Sequence, residues 1–503
     1  MRINVAWQRR LSRIADNWFS VPTRERSAAI LFVLAGLFLA ASPCTLYAQE
    51  NSALSDPTST EDLAKQVSEL RALVLQLQAQ VKALQTPPGR AQTALAPGQL
   101  SPSPTIGDSS SESSQSVLEQ APQAAPLATQ KELSLLRGTT VNFAVDTYYA
   151  YNFNDPIGRV NLLRAYDVSS NAFSLNQADI VLENAPDPSI GKRFGARLDL
   201  QFGQATETLQ GNAANEPRPE IYRNIFQAYG TYIAPIGSGL SIDFGKWASS
   251  LGIEGNYTKD QINYSRSYWF DFLPFYHMGA RVHYQFNDKL GVNYWITNGT
   301  QQTEPFNGYK DEMFGFVLTP VKNINWTVNY YLGQEHPDFQ FVTNGPPNLP
   351  TFQGTPFEPI PNPPNGKLHI FDTYVTWTVT PRLTLAGEAD YVIERLYTYS
   401  APSHADGGAG YFRYQLTPRI ALAARGEYLA DGGLYSGKTQ DLKEVTATFE
   451  YKFSDDFLMR EEWRQDWSNQ PYFLSSTLGV LKTNQNTATI GLVWWFGGKE
   501  GVW

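Results

Sequence analysis

The chain has 503 residues, 13 % of them aromatic and 17 % charged, with a net charge of −9 at pH 7. Abundant Gly, Tyr, Phe and Trp beside four methionines favour β-structure over a helix bundle. No basic block stands out beyond the first thirty residues, which argues against a nucleic-acid partner, and a single cysteine, Cys44, rules out a disulfide framework.

The first element is an export signal. Arg2, Arg9, Arg10, Arg13, Arg24 and Arg26 precede the uncharged run AAILFVLAGLFLAA. At about 14 residues this run fits a secretory core and is too short for a membrane span. Residues 1–48 are therefore expected to be a signal peptide cut after Ala48, with an uncleaved anchor as the alternative, since Leu46 is large for its place. Pro43 speaks against lipidation of Cys44. Cleavage would leave a chain without thiols, which suits an oxidising periplasm.

Residues 61–85 follow as a helix. Leu63, Val67, Leu70, Val74, Leu77, Val81 and Leu84 are spaced alternately four and three apart, a heptad seam with Val at a and Leu at d. This predicts a periplasmic coiled coil. Val at a with Leu at d favours dimers, whereas Leu73 at a g position widens the apolar face toward higher order, and only the segment that follows tips the choice to a trimer. TPPG ends the helix. Residues 86–137, rich in Pro, Ser and Gln, hold too little apolar mass to order themselves and read as a disordered linker of about 40 Å root-mean-square span.

From residue 138 to 503 the chain alternates apolar and polar residues in segment after segment. EVTATFEYKF sets Val445, Ala447, Phe449, Tyr451 and Phe453 against Glu444, Thr446, Thr448, Glu450 and Lys452. Sixteen such segments begin near residues 140, 173, 193, 223, 239, 278, 290, 311, 324, 367, 383, 408, 420, 442, 457 and 486. Tight turns (TPVKN, TPRL, TPRI, FNDK, FSDD, APIGSG) alternate with long connections such as 203–222, 248–277, 335–366 and 468–485. An even strand count with short turns on one side is the pattern of an outer-membrane barrel, which must close because lipid cannot satisfy a free sheet edge. The fold class expected is all-β: a closed antiparallel transmembrane barrel. Tyr148, Tyr149, Trp326, Trp377, Trp463 and Trp494 suit interfacial girdles in outer-membrane lipid.

Sixteen strands leave a lumen. Parity points Asp146, Arg197, Asp199, Arg281, Glu388, Asp390, Arg413, Arg425, Glu427, Glu450, Arg460, Glu462 and Arg464 into it, where they either line a pore or pair across the wall. Glu461 would face lipid beside Trp463, so a bulge or strand end is expected there. The long connection ASSLGIEGNYTKDQINYSRSYWFDFLPFYHMG carries Glu254, Lys259, Asp260, Arg266 and Asp271 among six aromatics between Tyr264 and Phe275. So many rings require burial. The connection either folds into the barrel as a constriction or packs on the rim or a neighbouring subunit.

FQAYGTYIAPIGSGLSIDFGKW, NYSRSYWF, PFYHMGARVHY and YWITNGT resemble the OmpL-like β-barrel porin family, strongly over residues 220–320. Tyr264, Ser265, Arg266, His277, Gly279 and Arg281 stand on its motif positions. The resemblance implies a pore-forming outer-membrane barrel without catalytic residues, and it does not extend to the heptad segment. It also implies that an aromatic end of the last strand serves as a signal to the barrel-assembly machinery. Phe496 and Trp503 compete for that role, and Gly497-Gly498 is the expected break between them.

The five histidines, His277, His283, His336, His369 and His404, lack metal-ligand spacing, and no nucleophile elbow, P-loop or HExxH occurs. No cofactor, metal or catalytic residue is expected, although a Ser-His pair could still assemble across strands. The sequence thus reads as a homotrimeric outer-membrane porin for passive diffusion of small hydrophilic solutes or ions. The other readings are an envelope tether reaching the cell wall through its helix, and a barrel hydrolase.

Overall fold

The computed structural model describes residues 138–503 except 211–215, 217, 343–350, 353–354 and 500. The export signal, the heptad helix and the linker lie outside the described residues.

Sixteen antiparallel strands close into one barrel, each paired with its sequence neighbours. They are β1 (Thr140–Asn152), β2 (Ala172–Asn184), β3 (Phe194–Phe202), β4 (Ile225–Ala234), β5 (Leu240–Ala248), β6 (Tyr276–Asn287), β7 (Leu290–Thr297) and β8 (Asp311–Leu318). Then come β9 (Ile324–Gly333), β10 (Leu368–Thr380), β11 (Leu383–Glu394), β12 (Ser403–Gln415), β13 (Ile420–Gly432), β14 (Thr439–Ser454), β15 (Phe457–Ser468) and β16 (Asn484–Gly497). β16 pairs with β1 to close the wall, with Phe143 opposite Phe496. The expected strand starts agree with these to within three residues except for β12, which begins at Ser403. Gly407, Gly408 and Gly410 hide its alternation, and a Cβ on Gly407 would come within 2.0 Å of the Tyr428 carbonyl.

The tight turns form where the sequence supplies their chemistry. In TPRL and TPRI the threonine hydroxyl accepts backbone N–H groups just ahead of it: Thr380 from Arg382 and Leu383, Thr417 from Arg419 and Ile420. On the other side, the 334–367 connection adds a small sheet of Phe339–Phe341, Thr355–Pro359 and Thr351–Phe352, and the 469–483 connection adds a two-stranded one.

Burial alternates along the wall as the parity predicts. On β13, Arg425, Glu427, Leu429 and Asp431 are buried while Leu422 and Tyr428 are exposed. Inward means buried over much of the wall because side chains and the connection between β5 and β6 occupy much of the lumen. Trp247, Leu251, Tyr268, Trp269, Trp295, Met313, Tyr331, Ile370, Val392, Leu429 and Leu442 form one apolar cluster inside the barrel. A barrel face that meets lipid needs no such cover, so Phe173, Phe194, Phe244 and Phe496 remain exposed.

Two expectations change, and a third, the break at Gly497-Gly498, agrees with the structure. Tyr148 is not a girdle residue: it points inward, is buried, and donates to Gln204 Oε1 at 2.6 Å. No bulge occurs at Glu461, because β15 runs in unbroken register with β14 there and Glu461 lies exposed beside Trp463. The end of the chain divides between two environments. Gly497, at φ 149°, ends β16 where any Cβ would strike the Val141 carbonyl at 2.4 Å. Phe496 stays on the outer face, stacked on Phe143, whereas Trp503 packs edge-on against Tyr257 of the 249–275 connection.

Candidate functional site

The connection between β5 and β6, residues 249–275, lies inside the barrel. Its aromatics provide the driving force: Tyr264, Tyr268, Trp269 and Leu273 are almost wholly buried. Its local structure is short-range. Ser267 caps the helix Tyr268–Phe272, its hydroxyl accepting from Phe270 N at 3.0 Å. Arg266, with no exposed surface, gathers the preceding turn by donating to the carbonyls of Gly255, Asn256 and Tyr264 at 3.1, 2.9 and 2.8 Å. Five donors on a planar guanidinium suit this clustering of carbonyls.

The lumen wall then holds the loop through charges. Arg425 donates to Glu254 and to the Ser265 carbonyl, both at 2.8 Å, and to Glu444 at 2.6 Å. Arg460 donates to the carbonyls of Thr258 and Gln261 at 2.7 and 2.6 Å, with Glu450 as its ion-pair partner at 2.9 Å. Arg464 reaches the Arg266 carbonyl and pairs with Asp466 at 2.9 Å. The carboxylates bind the loop's N–H groups. Glu462 accepts from Tyr264 N and Ser265 N at 2.6 and 2.9 Å, and Glu427 from Tyr268 N and Trp269 N at 2.8 and 3.0 Å. A buried non-regular segment must have its backbone groups satisfied, and here the wall's side chains do it.

On the β1–β3 side, Tyr264 donates to Asp146 at 2.8 Å and Tyr257 donates to Asp199, which Arg197 also holds at 2.9 Å. Lys259 pairs with Asp260 at 2.7 Å and lies over the Trp503 ring. Asp271, half-buried on the short helix, has its carboxyl raised to about 6 by burial, against the pull of Arg464 and Arg164. Of the residues expected in the pore, Glu254, Arg266, Glu427, Arg425, Arg460 and Arg464 converge on the loop. Arg281 does not join them. It pairs with Asp243 at 2.7 Å over the rings of Tyr229 and Trp247, and its side chain keeps 24 % of its surface. Glu388 and Asp390 gather with Asp372 on β10 and β11.

Asp466, Asp372 and Arg164 were not foreseen. Asp466 shares the parity of Arg464 two residues earlier, so the signal was there. Arg164 sits in a connection without periodicity, where it bridges Asp167 and Asp466 at 3.0 and 2.9 Å. A serine-histidine pair does form, with His277 Nε2 3.1 Å from Ser249 Oγ, but His277 has no exposed surface and its Nδ1 no hydrogen-bond partner. It lacks the orienting carboxylate and the access that nucleophilic catalysis requires.

A family model described as "Putative beta-barrel porin-2, OmpL-like" matches residues 138–496. The chain belongs to this porin family. The match spans the barrel from first strand to last, and it supports a channel role in the outer membrane and a non-enzymatic one. No curated protein matches the chain. Among solved structures, the outer membrane protein OmpT of Vibrio cholerae is 12 % identical with TM-score 0.42, covering 71 % of this chain and 97 % of its own. The anion-selective porin from Comamonas acidovorans is 8 % identical with TM-score 0.46, covering 71 % and 99 %. The outer membrane channel DcaP of Acinetobacter baumannii is 11 % identical with TM-score 0.43, covering 71 % and 96 %.

Proposed function

We propose that the protein is an outer-membrane porin for passive diffusion of small hydrophilic solutes or ions, with residues 249–275 as its constriction. One observation carries the reading: the loop's amides and carbonyls are bonded to lumen-side Arg425, Glu427, Arg460, Glu462 and Arg464, so the loop is built into the cross-section. Passage runs beside the loop, along the wall of β5 and β6 where Arg281 and Asp243 keep solvent contact. Both signs of charge stand there, which suits polar solutes and sets ion preference by local balance. A homotrimer in outer-membrane lipid, delivered through its last strand to the assembly machinery, belongs to the same proposal. So does a periplasmic helix touching the cell wall.

Single-channel recording in planar bilayers tests it. The wild type should conduct, and deletion of residues 256–270 should raise the conductance severalfold. Unchanged conductance in a folded deletion variant would overturn the constriction, and absence of conductance in the wild type would overturn the porin.

A further inference from the structure

Asp372 on β10 and Glu388 and Asp390 on β11 each place a carboxylate oxygen within 4.8 Å of the other two, and all three residues are buried. Asp372 and Asp390 stand directly opposite each other in the β10–β11 register. Like charges so placed repel. Glu388 is partly satisfied, accepting from Ile253 N at 3.0 Å and from the Tyr411 hydroxyl at 3.3 Å. Asp372 Oδ2 accepts from Asn329 Nδ2 at 2.7 Å. Asp372 Oδ1 and both oxygens of Asp390 have no hydrogen-bond partner, and Asp390 is only 5 % exposed.

No lysine or arginine among the described residues forms an ion pair with any of the three. Arg425, on β13, is taken by Glu254 and Glu444, and Arg413 by Glu450. Three buried carboxylates without a counter-charge are costly, and two of them are aimed at a common point with unused lone pairs. A hard divalent cation answers both problems. Calcium binds carboxylate oxygens at about 2.3–2.6 Å, so oxygens sharing one ion lie no farther apart than about 5 Å. An all-oxygen donor set favours calcium-class ions over zinc or copper.

We propose that Asp372, Glu388 and Asp390 form a calcium-class divalent cation site in the lumen wall. The ion would neutralise the opposed aspartates and fix Glu388, which holds the loop at Ile253. Asn329, bonded to Asp372, and Tyr374 both donate to the Ser250 carbonyl, at 3.0 and 3.1 Å. The site therefore fastens the first turn of the 249–275 loop to β9–β11, on the stretch of wall that β12 separates from the arginines of β13–β15. This holds whether or not the barrel conducts.

The test uses Tb3+ with the full chain folded in detergent, its folding verified by heat-modifiable gel migration. Tyr411, in contact with Glu388, sensitises Tb3+ luminescence on tyrosine excitation. Wild type should give saturable emission that Ca2+ displaces. D390N and D372N should each weaken binding by about tenfold or more, the scale on which even outer-shell changes act. E461Q, removing an exposed carboxylate on the outer face, should leave it unchanged. Absence of Ca2+-displaceable emission in the wild type would overturn the site and leave the carboxyls sharing protons instead. Equal affinity in a folded D390N or D372N variant would also overturn it.

Discussion

On β13–β15 the lumen-side Arg425, Arg460 and Arg464 are at most 2 % exposed, and every one of them donates to a carbonyl of the 249–275 loop. On β5 and β6 the lumen-side pair Asp243 and Arg281 keeps solvent contact and lies against aromatic rings instead. The strands read alike in sequence, each alternating charge with apolar residues. What separates them is occupancy of the space in front. Where the loop lies against the wall, charges replace water as hydrogen-bond partners of an irregular backbone. Where it does not, charges stay available to whatever passes.

The contrast predicts unequal costs. Arg425→Ala should be the most damaging single change, because it leaves Glu254 buried without a counter-charge and Glu444 with only the longer contact to Arg464 at 3.4 Å, a loss of about 3–5 kcal/mol. Denaturant unfolding in detergent would measure it, and a cost near zero would mean that the latch does not exist. Asp271→Asn should act more gently and with a pH signature. Its carboxyl titrates at about 6 in the fold against an ordinary value near 4, so the unfolded chain releases its proton first as pH rises. The contribution to stability is complete below about pH 4 and is lost as pH rises through about 6. Asp271→Asn should therefore raise the unfolding temperature at pH 8 and leave it unchanged at pH 4. The smallest effect on stability belongs to Arg281→Gln, at most about 1 kcal/mol for a partly solvated pair. Its mark should be on reversal potential under a salt gradient, shifted toward cations. A large stability loss with no change in selectivity would place Arg281 with the latch.

The barrel was legible because its signal is local. Period-two alternation and threonine-proline turns repeat along the chain, and closure follows from the solvent, so strand count and parity could be read directly. Burial of the 249–275 loop was legible as a need, from its cluster of aromatics, but not as a place. Where it docks depends on Arg425, Arg460, Glu427 and Glu462, which are more than 150 residues away in sequence. The Asp372–Asp390 opposition required the register of β10 against β11, and one residue of slip would have hidden it. Tyr148 misled for a different reason. It stands next to Tyr149 near a strand end, where rings suit a girdle, although its shared parity with inward Asp146 already pointed it into the lumen.

Hydrogen exchange read at single-residue resolution tests most directly whether the loop is part of the barrel's interior. The amides of Ile253, Tyr264, Ser265, Tyr268 and Trp269 each donate to a buried wall carboxylate. They should exchange as slowly as strand amides and open only with the barrel. Exchange at the rate of an exposed loop in the folded protein would contradict a loop held inside the lumen.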